Sequence, residues 1–166
     1  MEITKMIRAV AEKQAPLAVI SDYFSNKNKE DHFFEIKDLI EKALKRSPLE
    51  PLEIEALLYA LSCNRYLDNR YTHLLCKLLE KPDILPYNLE FVVELLQYIK
   101  DGKSAKCISN AIALYPPSDT HSIPTKCMWA LRDIGTAAAV QYLKELALSE
   151  NEKIAILANQ QLQYVK

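Results

Sequence analysis

Glycine is scarce in this chain, because only Gly102 and Gly135 occur among its 166 residues. A sheet-rich domain needs glycine for hairpin turns and bulges, and a phosphate-binding loop needs it for close backbone approach. Long apolar runs are also missing. No stretch approaches the roughly 18 apolar residues of a membrane span, and residues 1–14 lack the apolar core of a signal peptide. The sequence therefore predicts an α-helical, cytoplasmic protein that does not enter a membrane.

The four cysteines lie far apart in the sequence. Cys63, Cys76, Cys107 and Cys127 form no CxxC pair, so the spacing typical of zinc and redox motifs is missing. Each lies in an apolar helical stretch. We therefore expect four small buried side chains that stay reduced, and the sequence predicts neither a metal site nor a cofactor.

Charge of one sign is not in excess. The chain has 21 Lys and Arg against 22 Asp and Glu, a net charge of −1, which is unlike the basic footprint of a nucleic-acid-binding protein.

The closest approach to a metal site is His32 with Glu35, which we interpret as the solvated start of a helix. His73 and Cys76 have helical spacing but no third group that would orient them for catalysis. These patterns predict a protein that is not an enzyme.

Helical periodicity dominates the chain. The segment 89–99 is apolar nearly all round, which indicates a helix covered by neighbours on both sides. Short connections predict that consecutive helices pack antiparallel. The apolar pattern and the breakers between its segments predict helices over 2–14, 16–26, 31–46, 51–63, 67–80, 88–100, 103–115, 123–134, 136–148 and 151–165.

Capping residues mark several helix ends. The run Ser47-Pro48-Leu49-Glu50 and the pair Ser149 and Glu152 have the pattern of capping boxes. Asp101-Gly102 and Gly135 lie where a helix C-terminus needs a left-handed residue.

The sequence neighbours of three aromatic residues predict whether their side chains are buried or exposed. Trp129 lies beside an apolar helical stripe and is predicted to be part of the core. Tyr87 and Tyr115 flank proline-containing loops and are predicted to be exposed.

A helical repeat is visible in the second half of the chain. Ile99 and Ile134 lie at equivalent turns, and each is followed nine residues later by Ile108 or Leu143. The segment 123–148 has the alanine-leucine pair, the turn isoleucine-glycine and the second-helix alanine-leucine of a HEAT repeat, which it resembles.

The resemblance is good over 123–165, fair over 88–115 and only permissive before that. It implies an all-α, right-handed α-α superhelix, a HEAT/armadillo-like solenoid of about four to five helical hairpins. The whole of 1–166 is then a single domain, in which 1–46 is either a divergent N-terminal cap or a different helical packing.

One segment carries the residue types of a recognition surface. The stretch 64–71 repeats Asn-Arg-Tyr, and Arg and Tyr are enriched in the residues that dominate binding energy at interfaces. The predicted partner-binding residues are Arg65, Tyr66, Asp68, Arg70 and Tyr71. The alternative is structural: the arginines cap helix carbonyls or pair with Asp68, and the tyrosines pack the hairpin.

HEAT-like solenoids use their second helices to dock proteins, and small free-standing ones resemble some bacterial immunity proteins. The resemblance implies a non-catalytic protein-binding module that neutralises a toxin domain, without a nucleic-acid partner. Two alternatives stay open. One is a HEAT-like enzyme subunit, either DNA-repair glycosylase-like or chromophore-lyase-like. The other is a structural homo-oligomer, in which a second copy covers the apolar helix at 88–100.

Overall fold

A computed structural model describes residues 3–25, 27–46, 51–62 and 67–165 of the chain. Within these ranges there is no strand, and a single bridge joins Ser118 to His121. Two 3₁₀ turns, Asn69–Tyr71 and Gly102–Ser104, lead into α5 and α7. The ten α-helices of the described ranges are α1 (Ile3–Ala11), α2 (Ala18–Ser25), α3 (Lys29–Leu44), α4 (Pro51–Ser62), α5 (Thr72–Leu79), α6 (Pro86–Ile99), α7 (Ala105–Leu114), α8 (Ile123–Ile134), α9 (Ala137–Leu146) and α10 (Glu152–Leu162).

The prediction of an all-α protein is confirmed, and each predicted segment overlaps one helix. The helix α3 begins two residues earlier than predicted, because the side chain of Asn28 accepts the N–H groups of Glu30 and Asp31. The helix α6 also begins earlier, because Pro86 occupies its first turn, where a missing N–H breaks no helical hydrogen bond. The predicted capping box at 47–50 lies outside the described residues.

Two predicted caps need correction. The helix α10 is capped by Asn151 rather than Ser149, because Asn151 has extended backbone and its side chain accepts the N–H of Ile154. The left-handed residue after α6 is Lys100, with φ of 55°, and not Gly102. Gly135 does adopt the left-handed conformation after α8, with φ of 63°, as predicted.

Gly102 is instead a point of close approach between elements. A Cβ atom at this position would lie 2.8 Å from the Cγ2 methyl of Thr136, which precedes α9. The Oγ1 of the same Thr136 accepts the N–H of Ala139 and caps that helix. Because the threonine is held by its capping role, the turn before α7 can reach it only with glycine.

Contacts run between alternate helices as well as between neighbours. The helix α6 contacts α4, α5 and α8, and α8 contacts α10. A second series of contacts joins α3 to α5, α5 to α7 and α7 to α9. Val92, Val93 and Leu96 of α6 are fully buried, but Tyr98 on the same helix is 72% exposed. The prediction that neighbours cover this apolar helix on both sides is therefore only partly borne out.

The prediction that Trp129 belongs to the core is wrong, because its side chain is 42% exposed. Neighbours of α8 cover Cys127, Met128 and Leu131, and the intervening position therefore points outward. Tyr87 is exposed, as predicted. Tyr115 is half-buried instead, because its hydroxyl donates to the carbonyls of Leu79 and Lys81.

Candidate functional site

The predicted recognition segment begins with a carboxylate that has several partners. Asp68 accepts the backbone N–H of Arg70 at 3.0 Å and thereby caps the 3₁₀ turn before α5. It also pairs with the Arg70 guanidinium and, at 2.8 Å, with the Lys29 ammonium of α3. Partial burial opposes ionisation, but the hydrogen bonds from Arg70 and Lys29 prevail and lower the pKa of Asp68 to about 2.

Arg70 is held between α3 and the turn before α5. Its Nη1 lies 2.8 Å from the Glu30 carboxylate, and its Nε lies 3.0 Å from Asp68. The guanidinium also lies over the ring of Phe33, 4.7 Å from the centroid, at a distance typical of a cation–π contact. Three contacts within the chain therefore fix the position of this side chain.

Tyr71 is fully buried and belongs to the core. Its hydroxyl lies 3.0 Å from Nδ1 of His32, and the Phe24 ring lies 4.2 Å from the His32 ring. Burial lowers the pKa of His32 to about 4, so this ring is neutral at physiological pH. The expectation of a solvated His32 is therefore wrong. Glu35, three residues further on, pairs with Lys27.

Asp68, Arg70 and Tyr71 thus join α3 to α5, as the structural alternative predicts. Arg65 and Tyr66 lie outside the described residues. Their role in binding a partner stays a prediction. The side chain of Arg70 is partly exposed, and its role in binding a partner also stays a prediction.

The expectation of four reduced cysteines is wrong for Cys76 and Cys107, which form a disulfide between α5 and α7. The two residues are 31 positions apart in the sequence, but their Cα atoms lie 5.7 Å apart because the helices pack side by side. Cys127 is a fully buried free thiol, and burial raises its pKa, as expected of a small core side chain. Cys63 lies outside the described residues.

This disulfide lies in an open groove of about 560 Å³ between α5 and α7, which we call the α5–α7 groove. Most of its lining residues have polar side chains. Lys103 and Lys106 contribute ammonium groups, and His73 is an exposed histidine. The other lining residues are Asn69, Thr72, Cys76, Glu80, Asp101, Cys107 and Asn110.

A second groove, of about 730 Å³, follows the other side of α5 and is called here the α3–α5 groove. Lys45 from the end of α3 and Lys77 and Lys81 from the end of α5 line it, together with Glu41, Leu44, Glu80 and Pro82. Glu80 borders both grooves. The two grooves therefore form one surface across α3, α5 and α7, which we call the α5 surface.

The lysines of the α5 surface carry uncompensated charge. None of Lys45, Lys77, Lys81, Lys103 and Lys106 forms an ion pair with a residue of the described ranges. The three carboxylates of the surface are Glu41, Glu80 and Asp101, which leaves an excess of positive charge.

Two cations of α8 differ from the lysines of the α5 surface, because both form ion pairs. Lys126 of α8 pairs with Glu90 and Glu94 of α6. Arg132 pairs with Asp133 at 2.7 Å and donates to Gln161 of α10 at 2.9 Å. Lys126 and Arg132 are therefore used in contacts with neighbouring helices, whereas Lys45, Lys77, Lys103 and Lys106 of the α5 surface are exposed to solvent.

Sequence reasoning missed the α5 surface because packing creates it. Lys77 lies on one predicted helix, and Lys103 and Lys106 lie on another, but three lysines are too few to indicate a binding site. Lys45 and Lys81 lie at helix ends and become their neighbours only when α3, α5 and α7 pack. The available signal is local: Lys77 and Lys81 are four residues apart, so they lie on one side of the chain.

In the part of the chain that the structure describes, no group of three or more His, Cys, Asp or Glu is arranged to hold a metal ion. No helix there has the length and apolar character needed to cross a membrane. No protein-family model matches the chain, and a search of curated proteins finds no match. The α5 surface is therefore the feature of the molecule from which a function can be proposed.

Proposed function

We propose that this chain is a non-catalytic protein-binding module that docks its partner on the α5 surface. In its most concrete form it is a bacterial immunity protein, which neutralises a toxin domain by direct binding. The observation that carries the proposal is the set of five unpaired lysines along the two grooves beside α5. Exposed charges without internal partners are available to a partner and speed its association.

We also propose that the helices form a right-handed α-α superhelix of the HEAT type. The contacts between α4, α6, α8 and α10 and between α3, α5, α7 and α9 support two rows of helices, as expected when hairpins stack. In such an arrangement the second helices of successive hairpins share one wall. The α5 surface lies on the row that contains α3, α5 and α7.

The lowered pKa values of His32 and Asp68 have structural causes and do not indicate a catalytic site. The low pKa of His32 belongs to a ring enclosed by Phe24 and Tyr71, away from either groove. Asp68 has a low pKa because it caps a turn and pairs with Arg70 and Lys29. Both shifts arise from the packing of α3 on α5, and neither lies at a site open to substrate.

The experiment is affinity capture from the native host with the tagged chain, followed by mass spectrometry and by reconstitution of the purified pair. We expect one stoichiometric protein partner. If the partner is toxic when expressed alone, co-expression of this chain should restore growth, which would establish the immunity function. Recovery of nucleic acid or a chromophore would favour the enzyme-subunit alternative. Recovery of the chain itself would favour the homo-oligomer.

Arg65→Ala tests whether the predicted segment contributes to the same interaction. Arg65 is the better choice over Arg70, because replacing Arg70 also removes its contacts with Glu30 and Asp68. We expect weaker binding of the reconstituted partner at an unchanged melting temperature. Unchanged affinity would remove Arg65 from the binding site.

A further inference from the structure

The charge of the α5 surface identifies the chemistry of the partner. We infer that the partner presents an acidic protein segment, rich in Asp and Glu, that lies across the two grooves and places carboxylates beside the lysines. The inference rests on the proposed protein-binding function and adds to it the chemical character of the partner and the place where it docks.

The arrangement of the lysines fits an extended acidic segment. Lys103 and Lys106 line one side of α5, and Lys45, Lys77 and Lys81 line the other. Packed helices lie about 8–10 Å apart, so α3, α5 and α7 together span roughly 20 Å. An extended chain advances about 3.3 Å per residue, so six or seven residues of a partner would cross the surface. Ammonium groups on flexible stems can follow carboxylates at irregular spacing.

The same surface is less suited to a nucleic acid. A phosphate backbone carries one charge at every step, and Glu80 lies between the lysine groups, on the border of both grooves. Glu41 and Asp101 extend this mixed pattern to either side. The side chains among the lysines include Asn69, His73 and Asn110, which can donate hydrogen bonds to a peptide. Among the described lining residues of the two grooves there is no Phe, Tyr or Trp ring to stack on a base.

The disulfide supports a preformed surface. Cys76 and Cys107 join α5 to α7 within the α5–α7 groove. The covalent link fixes the distance between the two helices that carry Lys77 and Lys106. A surface that is already ordered loses less conformational entropy when a partner binds.

The first test uses the full chain and three labelled probes in fluorescence anisotropy at low salt. The probes are an oligo-glutamate peptide of about twelve residues, which reaches roughly 40 Å when extended, a neutral Gly/Ser peptide of equal length, and an oligothymidylate of equal length. We expect binding of oligo-glutamate only. Tighter binding of oligothymidylate, or no binding of oligo-glutamate, would overturn the inference.

Charge reversal then locates the site. The variant Lys77→Glu/Lys106→Glu should bind oligo-glutamate about tenfold more weakly, because two attractions become repulsions at low ionic strength. The matched control is Lys5→Glu/Lys153→Glu, which has the same change in net charge at two exposed lysines of α1 and α10. Circular dichroism checks that both variants fold. An equal loss in the control would mean that net charge, and not this surface, governs binding.

The reconstituted partner separates this inference from the proposed function. If Lys77→Glu/Lys106→Glu weakens the captured complex and the control does not, both are supported. A captured protein that binds both variants equally would overturn the acidic-segment inference and leave the binding function standing. If no protein is captured, the proposed function itself fails.

Discussion

At the residue scale, His32 and Tyr71 illustrate how packing overrides local sequence. His32 follows Glu30 and Asp31 at the polar start of α3, where its neighbours indicate solvent. In the structure it is 1% exposed, because the first turn of α3 lies against Tyr71 and Phe24. A histidine held neutral in this way makes stability depend on pH.

We expect the free energy of unfolding to fall as pH drops from about 6.5 to about 4. Burial lowers the pKa of His32 from 6.5 to about 4, opposed in part by the charge of Glu35. Between these values the unfolded chain binds a proton that the folded chain does not, so acidification favours unfolding. The decrease in the free energy of unfolding should reach about 3 kcal/mol at about pH 4 and should vanish above about pH 7. Urea unfolding curves at several pH values measure it.

Two histidine variants make this assignment specific. His32→Gln should flatten the pH dependence between about 4.5 and 7. His73→Gln, at an exposed position on α5, should preserve the wild-type slope. A slope that survives in His32→Gln, or disappears in His73→Gln, would mean that another group is responsible.

Gly102 and Thr136 form a second residue-scale pair. Gly102→Ala should lower stability by about 1–2 kcal/mol, because the new Cβ would lie 2.8 Å from the Thr136 methyl. Thr136→Ser removes that methyl and keeps the hydroxyl that caps α9. In a double-mutant cycle followed by thermal unfolding, the two changes together should therefore be less harmful than their sum. Additive effects would show that the close approach is not what requires glycine.

At the element scale, the sequence predicts where helices occur better than what their faces contact. All ten described helices overlap predicted segments, because apolar periodicity and proline breakers are local signals. The prediction for Trp129 was wrong because a shift of one residue along a helix turns a side chain from the core towards solvent. The prediction for Ser149 was wrong because two nearby residues, Ser149 and Asn151, can both cap a helix, and only the backbone conformation decides between them. The Cys76–Cys107 pair was missed because helix periodicity carries no information about which helices pack side by side.

The candidate site was predictable only in part, for the same reason. Asp68 and Arg70 stand two positions apart, and their pairing was anticipated as the structural alternative. The α5 surface draws lysines from three helices, and only the packing of α3, α5 and α7 brings them together. A local sequence pattern can show which residues share one face of a helix. It cannot show how far that face lies from a face of another helix, because this distance is set by tertiary packing.

We expect the disulfide to contribute to stability by joining two elements. Closing a loop of 31 residues reduces the entropy of the unfolded chain, and the expected gain is about 3.7 kcal/mol. The variant Cys76→Ser/Cys107→Ser should unfold at correspondingly lower urea concentration. Cys127→Ala, which leaves the bond intact, serves as the control for cysteine replacement. Mass spectrometry after alkylation without reductant reports the bond directly, and full alkylation of Cys76 and Cys107 would contradict its presence.

At the scale of the whole molecule, helices differ in how many neighbours support them. The helix α6 is enclosed by α4, α5 and α8, whereas α10 contacts chiefly α8 and α9. The side chains of Val92 and Val93 are fully buried, and in α10 Ile156 is 50% exposed. A helix that few neighbours support opens at a lower free energy than a helix that several neighbours enclose.

Hydrogen exchange measured by mass spectrometry should resolve this gradient. We expect α6 amides to exchange only through global unfolding, and their exchange should accelerate with urea well below the unfolding midpoint. The amides of α10 should exchange faster and depend less on urea, because local opening of a helix with few neighbours exposes little surface. The helix α9, which α7, α8 and α10 contact, should be intermediate. If α6, α9 and α10 exchanged at one free energy with one urea dependence, the chain would unfold as a single cooperative unit. The expectation that local stability follows the number of neighbouring helices would then be wrong.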